Sequence, residues 1–506
     1  MDQSILIIGA GAAGLMSALE LSSAGLPVTV LEASAQPGGR IHTIDLPGIH
    51  TIQLSGIHTI ETPQSGRSEI NASATASGIP VVHKSTGGSI PATPGSTPDT
   101  PVSTPATPGS TPGTRSPADP ANPSPMTSLP QNASVSYIES GAEFIHGHLP
   151  VTISLLDQAG ITYTPIAGQM IRMSKGRRLD EEFFGDDWET LMQKMEELQQ
   201  DIPIKEFLDT RFPGDEHASL RENIRRFAEG YDLADIDKAS TKALHEEWQE
   251  EGGTEYRVEG GYGKMIAYMQ RRSEAQGAKF IFSSPVTRID WEKSRVIVTT
   301  ATGETFQASR LITTVSLGIL AQDPPSIVFQ PAIPDRIDAA RLMGFGSVIK
   351  ILVLFKTNWW KNKEGVGEFG FILSDEKIPT WWAQAPSEKP LLSGWLAAAA
   401  MKKFQSLDRT AQTEACLQSL ASIFNTTEDF LREELISIQV FDWSLAPYIK
   451  GGYSYETVGC AHARKILSTP IDQTLYFAGE ALYEGHSMAT VEAALTSGRD
   501  TARLII

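Results

Sequence analysis

"SILIIGAGAAGLMSALELSSAGLPVTVLEAS", residues 4–34, decides the fold of this chain. An apolar strand at residues 4–8 leads into Gly9-x-Gly11-x-x-Gly14, a helix-forming run follows, and a second apolar run ends at Glu32. Glycines with this spacing permit a tight turn, a close approach of backbone to a pyrophosphate and packing of the helix on the strand. The helix N-terminus attracts phosphate, and the acidic residue binds ribose hydroxyls. The stretch predicts a Rossmann-like dinucleotide site formed by Gly9, Gly11, Ala13, Gly14 and Glu32.

The composition restricts the possible partners and compartment. The chain has 506 residues, with 60 acidic against 42 basic side chains and a formal net charge of −18. A surface of this charge does not suit the phosphates of nucleic acids or an anionic membrane. Cys416 and Cys460 are far apart and lack metal-ligand spacing, which favours a reducing compartment. Since no apolar run approaches the ~20 residues that span a bilayer, the sequence predicts a cytoplasmic protein without nucleic-acid or membrane partners.

An octapeptide occurs three times within residues 38–63, as RIHTIDLP, GIHTIQLS and GIHTIETP, and each copy carries one histidine: His42, His50 and His58. In an extended chain a spacing of eight residues puts successive histidines ~26 Å apart, which is too far to share one metal ion unless the chain folds back. We therefore predict no metal site. The second and third copies have the form of a tandem duplication without a role of their own.

A low-complexity segment follows the repeats. Residues 91–125 hold 11 of the 31 prolines and almost no large apolar side chain. Such a composition does not bury enough apolar surface to offset the entropy lost on ordering. Globular composition returns at about residue 135. We predict a disordered Pro/Thr/Ser/Gly-rich insertion over residues 45–134, which includes the later octapeptide copies.

The stretch GGRIHT, residues 38–43, extends the nucleotide motif. Gly38 and Gly39 let the chain pass close to a cofactor, and Arg40 supplies a cation for a phosphate. The glycine motif alone fits either NAD or FAD. GxGxxG, an acidic residue and GGR in this order resemble the flavin amine oxidase family, which includes monoamine oxidases, polyamine oxidases and lysine-specific histone demethylases. The resemblance implies FAD as the cofactor, with Gly39 and Arg40 among its contacts.

Four later segments resemble the same family in the same order. GAEFIHG, residues 141–147, is similar to the family's flavin-lining segment, and VEGGYGKMI, residues 258–266, to the turn before a domain-crossing helix. SSPVTRIDW, residues 283–291, is similar to a strand that meets the adenine end of the cofactor. FAGEALYEGHSMATVEAALTSG, residues 477–498, is similar to the C-terminal flavin segment. The resemblance implies cofactor contacts from Ala142, Glu143, Phe144, Val286, Glu480, Thr490 and Val491.

In the C-terminal segment a strand is predicted to end at Glu480 and a helix to begin near Thr490. We expect Glu480 to accept hydrogen bonds from ribityl hydroxyls. The amides of Thr490 and Val491, at the positive end of a helix dipole, would stabilise the negative charge that develops on a reduced flavin. Ala481 and Ala493 depart from the common family forms at their positions.

Lys350 lies within the apolar run MGFGSVIKILVLF, residues 343–355. A lysine is seldom fully buried unless it is paired or functional, because desolvation of its ammonium is unfavourable. From the pattern alone, an edge strand with Lys350 in water fits equally well. The family resemblance implies that this lysine holds a water against flavin N5, and it predicts that Lys350 is catalytic.

The stretch FDWSLAPYIKGGYSYETVG, residues 441–459, is dense in aromatic side chains. Aromatic faces attract cations and exclude water, although core packing accounts for any one of them. By resemblance, Trp443 and Tyr453 match catalytic-site positions of the family, and Tyr453 forms one wall of the amine cage. Some monoamine oxidases attach FAD through a cysteine in this stretch. Since Cys460 is displaced from that position by several residues, we predict noncovalent FAD.

These observations predict an α/β protein with a Rossmann-like FAD-binding domain and a discontinuous α+β substrate domain. The FAD-binding domain is assigned to residues 1–44, 135–150, 251–325 and 446–506, and the substrate domain to residues 151–250 and 326–445. The resemblance implies an FAD-dependent amine oxidase, which passes a hydride from the carbon beside the amine nitrogen to flavin N5, hydrolyses the imine and reduces O2 to H2O2. Two alternatives stay open: a flavin-dependent desaturase or oxidase of a non-amine substrate, and a flavin-bound scaffold with little turnover whose insertion docks a partner.

Overall fold

The structure is a computed structural model that describes residues 3–45, 57–60, 137–179, 187–250, 253–363, 365–366, 368–485 and 488–506, with the backbone alone at 57–60 and 250. The strands in chain order are β1 (Ile5–Ile8), β2 (Val28–Leu31), β3 (Thr43–Asp45), β4 (Ile57–Ile60), β5 (Tyr137–Glu139), β6 (Phe144–His146), β7 (Tyr163–Pro165), β8 (Gln169–Ser174), β9 (Arg177–Leu179), β10 (Glu255–Val258), β11 (Lys279–Ile281), β12 (Val286–Glu292), β13 (Arg295–Thr300), β14 (Thr305–Ala308), β15 (Arg310–Thr313), β16 (Val328–Gln330), β17 (Gly344–Phe345), β18 (Val348–Phe355), β19 (Phe369–Ser374), β20 (Thr380–Trp382), β21 (Leu391–Ala397), β22 (Leu435–Asp442), β23 (Ser454–Tyr455) and β24 (Leu475–Phe477). The helices are α1 (Ala12–Ser23), α2 (Pro150–Ala159), α3 (Asp187–Glu196), α4 (Ile204–Arg211), α5 (Ala218–Gly230), α6 (Thr241–Glu250), α7 (Gly263–Ala275), α8 (Leu317–Leu320), α9 (Pro334–Leu342), α10 (Ala398–Gln405), α11 (Arg409–Ile423), α12 (Glu428–Glu434), α13 (Cys460–Ser468) and α14 (Val491–Arg503).

A parallel sheet contains the nucleotide motif. Within the described residues it has five strands, in the order β11-β2-β1-β15-β24. Every residue of β1 is buried, as expected for a parallel strand with both faces covered. The helix α1 connects β1 to β2 and packs against α7 and α14. The predicted strand, glycine turn, helix and second strand are all present, so the prediction of an α/β fold with a Rossmann-like part is confirmed.

A larger mixed sheet holds Lys350. Among the described residues it has eight strands, in the order β4-β22-β18-β21-β20-β19-β8-β9. The strand β18 pairs antiparallel with β21 on one side and β22 on the other, so it is internal. Its alternate residues Ile349, Ile351 and Val353 face the largest apolar cluster, while Leu352 packs with residues of β3 and β5 on the opposite face. The alternation of a strand places Lys350 on this second face.

Smaller sheets join these two layers. In the described part of the chain they are β6-β10-β7, β14-β13-β12-β16, β3-β5 and β17-β23. The helices α3 to α6 surround a separate apolar cluster centred on Phe207, Phe227 and Trp248. Each sheet buries an apolar face against helices or against a neighbouring sheet, which is the usual way that layered domains form a core.

The octapeptide repeats differ in part from the prediction. The first copy contributes β3, which pairs antiparallel with β5. In the third copy Ile57–Ile60 forms β4, an outer strand beside β22, although it falls within the insertion that was predicted to be disordered. The reason is local: Ile-His-Thr-Ile is rich in β-branched side chains, which favour strands. The rest of the predicted insertion from residue 46 to residue 134, including His50, lies outside the described residues.

The described residues belong to one compact unit, which comprises residues 1–84 and 135–506. The predicted division of this unit into an FAD-binding and a substrate domain stays a prediction. In the ranges that the structure describes, none of the helices combines the length and apolar character that crossing a bilayer requires.

Candidate active site

The turn between β1 and α1 depends on two glycines. Gly9 has φ of +102°, a conformation that L side chains rarely adopt. A Cβ added at Gly14 would lie 1.9 Å from the carbonyl oxygen of Gly9. Because Gly14 carries no side chain, the first turn of α1 rests directly on the end of β1.

The space in front of α1 is open. Gly11 has extended backbone, and a Cβ there would meet only the carbonyl oxygen of Gly38, at 3.9 Å. A Cβ on Gly39 would lie 3.5 Å from the Cα of Gly11, so GGR passes close to the glycine turn. The helix starts at Ala12 without a side-chain cap. Its first N–H groups, including that of Ala13, lack intrahelical acceptors and suit a pyrophosphate.

Glu32 stands immediately after β2 and is fixed by backbone donors. Its Oε2 accepts a hydrogen bond of 2.6 Å from the N–H of Ala10, and its Oε1 accepts one of 2.8 Å from the N–H of Ser34. The N–H of Ser284 donates to the carbonyl of Glu32 at 2.8 Å, and this contact brings the start of β12, with the buried Val286, to the same place. The structure therefore unites the residues predicted to hold the adenosine end of the cofactor.

Arg40 joins the N-terminal and C-terminal segments. Its Nη1 donates to the carbonyl oxygen of Gly452 and to Oε1 of Glu480, both at 2.8 Å. The other carboxylate oxygen of Glu480 accepts a hydrogen bond from the Ser454 hydroxyl. Arg40 was predicted to bind phosphate and Glu480 to accept ribityl hydroxyls. In the structure these two residues, each predicted to bind the cofactor, form an ion pair with each other.

The helix α14 packs closely on α1. A Cβ at Gly498 would lie 2.2 Å from the carbonyl oxygen of Ala13, so the two helices touch through backbone. At the start of α14 the hydroxyl of Thr490 accepts a hydrogen bond of 3.2 Å from the N–H of Ala493, and Val491 is the first helical residue. The predicted helix start is present, and its side-chain cap leaves backbone donors of the first turn for a ligand.

Lys350 is 1% exposed, which excludes the alternative of a solvated edge-strand lysine. Its Nζ donates to Oε2 of Glu143 at 2.7 Å and to the carbonyl oxygen of Gly141 at 3.1 Å. The next residue of that segment, Ala142, donates its N–H to the carbonyl of Arg40 at 3.1 Å. Lys350, GAEFIHG and GGR therefore form one continuous set of contacts.

Glu143 is the acceptor for several donors besides Lys350. Arg257 donates from Nε at 2.9 Å, Trp382 from Nε1 at 3.1 Å and Gln384 from Nε2 at 3.1 Å. Burial alone would raise the pKa of Glu143, but attraction to Lys350 and Arg257 outweighs burial and lowers the pKa to about 2. The carboxylate is therefore ionised throughout the neutral range.

Most of this cluster was not predicted from the sequence. Glu143 was predicted to line the cofactor, whereas Arg257, Trp382 and Gln384 were not among the candidates. The available signal was an acidic residue within the apolar segment AEFI, because a carboxylate in such a place needs a buried partner.

A second buried carboxylate lies close by. Glu139 accepts hydrogen bonds from the Thr43 hydroxyl at 2.8 Å and from the N–H of Tyr262 at 2.7 Å. Burial raises the pKa of Glu139 to about 7, although these hydrogen bonds and the charge of Lys350 act in the opposite direction. Glu139 thus titrates near neutrality, unlike Glu143.

Aromatic rings form a row beside the Lys350 cluster. Tyr453 stacks on Trp395 with a centroid distance of 6.5 Å, Trp395 lies 5.9 Å from Trp382, and Trp382 lies 5.8 Å from Phe144. The Nζ of Lys350 is 5.4 Å from the centre of the Trp382 ring. We call Tyr453, Trp395, Trp382 and Phe144 the aromatic row.

Trp443 and Tyr453 are both anchored by hydrogen bonds. The indole N–H of Trp443 donates to the carbonyl oxygen of Ser140 at 2.9 Å, and the Tyr453 hydroxyl donates to the carbonyl of Tyr231. The two rings pack in the same small apolar cluster. Lys350 and Trp443 therefore both bond the segment at residues 140–143, and Tyr453 is connected to it through the rings of Trp395 and Trp382.

The donor set fits FAD. Open backbone at Gly11 suits a pyrophosphate, Glu32 suits a ribose, and a cavity lined in part by Arg40, Thr314, Gly479 and Glu480 lies between the N-terminal and C-terminal segments. Two helix starts and one guanidinium supply positive potential for phosphates and for a reduced flavin ring.

Comparison with known proteins agrees with this geometry. The family described as "Flavin containing amine oxidoreductase" matches residues 128–506, and an NAD(P)-binding Rossmann-like domain matches residues 7–69. Polyamine oxidase 4 of Oryza sativa subsp. japonica is 24% identical over 98% of this chain and 87% of its own length.

Lysine-specific histone demethylases are also similar. Three of them, from Arabidopsis thaliana, Mus musculus and Homo sapiens, are 26% identical over 50%, 60% and 59% of this chain, and the matches cover only 16%, 37% and 38% of their own lengths. Among solved structures, putrescine oxidase bound to putrescine has a TM-score of 0.70 at 18% identity, covering 100% of this chain and 99% of its own. Cyclohexylamine oxidase from Brevibacterium oxydans IH-35A has a TM-score of 0.70 at 16% identity, with the same coverage of both chains.

At these identities the solved structures show a shared fold, whereas the family match extends over more than half of the chain. The Rossmann-like site and the match to a flavin-containing family identify FAD as the cofactor. The chain belongs to the flavin-containing amine oxidoreductase family.

Proposed function

We propose that this chain is an FAD-dependent amine oxidase acting on a small-molecule amine. When bound, FAD would supply at N5 an acceptor for the hydride on the carbon beside the amine nitrogen and a route for its electrons to O2, with H2O2 as the expected product. The observation that carries the proposal is the buried Lys350, which contacts the segment at residues 141–143 while that segment contacts Arg40 of the nucleotide site.

The aromatic row would hold the amine. Its rings exclude water and attract a cation as it approaches, while an amine must be neutral to give up a hydride. Tyr453 is fixed through its hydroxyl, and Trp443, which packs beside the row in the cluster that contains Tyr453, is fixed through its indole N–H, so both rings have defined orientations. Defined walls position the substrate carbon before reaction, which lowers the entropic part of the barrier.

Lys350 would act as a hydrogen-bond donor to a water beside the reacting atoms. Its ammonium contacts the carboxylate of Glu143, so the proposed role is donation and not removal of a proton. A water held in this way is placed to hydrolyse the iminium product.

We further propose that FAD is bound noncovalently and that the enzyme is cytoplasmic. Cys460 is buried at the start of α13 with its sulfur 3.9 Å from Nη2 of Arg464, and Cys416 is buried in α11. Buried thiols in these places support noncovalent FAD. The acidic surface charge and the two free cysteines support a cytoplasmic enzyme that does not bind nucleic acid.

Anaerobic bleaching of the flavin tests the function. Purified protein should show a flavin spectrum, which should bleach with one or more members of a panel containing putrescine, spermidine, cyclohexylamine and a methyl-lysine peptide. Exposure to air should restore the colour and release H2O2. Bleaching by a polyene alone would instead indicate a desaturase, and bound flavin with no bleaching by any substrate would indicate a scaffold. Flavin that stays with the denatured polypeptide would contradict noncovalent attachment.

The Lys350→Met variant tests the proposed residue. It should retain FAD while reduction by the amine or reoxidation by O2 slows by at least ~10-fold, as expected for loss of a positioned donor. Lys356→Met is the matched control, because Lys356 follows the same strand but is exposed and bonds the carbonyl of Glu433. Parent rates in the Lys350 variant would remove Lys350 from the mechanism.

A further inference from the structure

We propose that Glu143 is a positioning residue that holds the Lys350 ammonium in place and sets the charge beside the flavin. The inference rests on the proposed function of Lys350 and adds a residue to it. Glu143 does not need to touch substrate in this role, because it acts through Lys350.

The geometry of Glu143 supports this role. Its carboxylate is 2.7 Å from the Lys350 ammonium, and both side chains are buried, at 5% and 2% exposure. Oε1 of Glu143 also accepts from Arg257 and Gln384, and the Trp382 indole N–H lies 3.1 Å from both oxygens. A carboxylate with this many donors has one orientation, and it therefore fixes the ammonium that it binds.

The donors themselves are anchored elsewhere. The two terminal nitrogens of Arg257 donate to the carbonyl oxygens of Ala385 and Ala383, both at 2.9 Å. The Arg257 guanidinium also lies over the Phe144 ring, 4.7 Å from its centre. Arg257 is therefore held by the loop after β20 and by β6. Because Arg257 donates to Glu143, it fixes the position of the Glu143 carboxylate as well.

The ionisable groups around Glu143 and Lys350 determine how the loss of the Glu143 charge changes the flavin potential. Glu139 lies on β5, Arg257 on β10 and Lys389 just before β21, and these ionisable groups interact electrostatically with Glu143, as does Tyr137. Changing Glu143 to glutamine deletes one buried negative charge and leaves Lys350 and Arg257 positive. A nearby positive charge favours addition of electrons to a flavin, so the reduction potential should rise.

A double-mutant cycle with two readouts tests the inference on the FAD-bound protein. Glu143→Gln should slow amine-driven reduction or reoxidation by ~10-fold or more in the parent background, and by less than ~2-fold in the Lys350→Met background, since coupled residues are not additive. The flavin midpoint potential should move in the positive direction in Glu143→Gln, in the negative direction in Lys350→Met, and return close to the parent value in the double variant. A purely structural role would not give shifts of opposite sign.

Glu229→Gln is the matched control. Glu229 is also a glutamate in an ion pair, but its partner is Arg225, on the same helix α5. Its effect on rate should be the same with and without Lys350. If Glu143→Gln does not fold, Gln384→Met replaces it, because this change removes one donor to Glu143 and leaves both charges; its smaller loss of rate should likewise disappear in the Lys350→Met background.

Failure of the positioning role of Glu143 and failure of the proposed role of Lys350 give different results. If Lys350→Met is slow but Glu143→Gln has an equally large effect in both backgrounds, the positioning role is wrong and the proposed function stands. If Lys350→Met has parent rates and parent potential, the proposed role of Lys350 is wrong and the inference is wrong with it.

Discussion

The guanidinium of Arg40 lies 2.8 Å from the carboxylate of Glu480, a residue 440 positions further along the chain. Arg40 belongs to the GGR segment, and Glu480 follows β24. The Glu480 side chain is 5% exposed and that of Arg40 is 29% exposed, so the pair is anchored on the buried side and open on the other. The contact closes the nucleotide site by joining the two segments that form it.

Glu480→Gln should therefore weaken FAD binding. Loss of the charged partner frees Arg40, and hydrogen bonds to charged groups contribute about 1.5–3 kcal/mol, which corresponds to a ~10- to 100-fold rise in the Kd for FAD. The measurement is titration of apoprotein with FAD by flavin fluorescence. Glu484→Gln, an exposed position of the same segment, is the control and should bind like the parent. Equal affinity in both variants would show that the pair does not contribute to the site.

Gly11→Ala and Gly14→Ala should fail in different ways. A Cβ at Gly11 has room in the protein but projects into the proposed phosphate space, so this variant should fold with an unchanged melting temperature as apoprotein and bind FAD poorly. A Cβ at Gly14 meets the Gly9 carbonyl at 1.9 Å, so this variant should lose stability by several kcal/mol, with or without FAD, as expected for overpacking against backbone. Thermal melting with and without FAD separates the two outcomes. If Gly11→Ala binds FAD with the affinity of the parent, the phosphates do not bind at the start of α1.

Glu139 should make the stability depend on pH. Its folded pKa of about 7 is above the ordinary value of 4.5, so between these values the folded state binds more protons than the unfolded state. Stability should then fall as pH rises from 4.5 to 7, by at most on the order of 3 kcal/mol for this group. Urea unfolding of the apoprotein at several pH values, parent against Glu139→Gln, measures the contribution. The stability advantage of the parent over the variant should shrink across that window, and a constant difference would contradict the raised pKa.

Replacing residues 64–134 with a flexible linker of about 20 Gly and Ser residues should leave the flavin spectrum and amine-driven bleaching intact. Every proposed site residue lies outside this segment, and long insertions in a chain are tolerated thermodynamically. The boundary at residue 64 keeps Ile57–Ile60, which pairs with β22. Loss of bound flavin in this variant would give the insertion a role in cofactor binding.

The nucleotide site was predictable because its constraints are local. The positive φ of Gly9 and the tight contact at Gly14 come from residues that are adjacent in the chain, so a short motif specifies them. The burial of Lys350 was not decidable in this way. It depends on β18 lying between β21 and β22, and strand order is a property of distant segments that a local pattern does not encode.

The partners of Glu143 were even less predictable from the sequence. Arg257 is 114 positions away and Trp382 is 239 positions away, so neither spacing nor periodicity connects them to the segment AEFI. The strand at Ile57–Ile60 was not predicted, although the signal for it is local. Repetition suggested copies without a role, although the sequence of Ile57–Ile60 is rich in β-branched residues, which favour strands, and this segment pairs with β22.

The joining of Arg40 to Glu480, and of α1 to α14, has a consequence for biogenesis. Ribosomes make the GGR segment long before they make Glu480 and α14, so a nascent polypeptide carries an incomplete binding surface until the later segment has been made. The completed site is consequently available to the flavin only after residues 480–503 have been synthesised and have packed on α1.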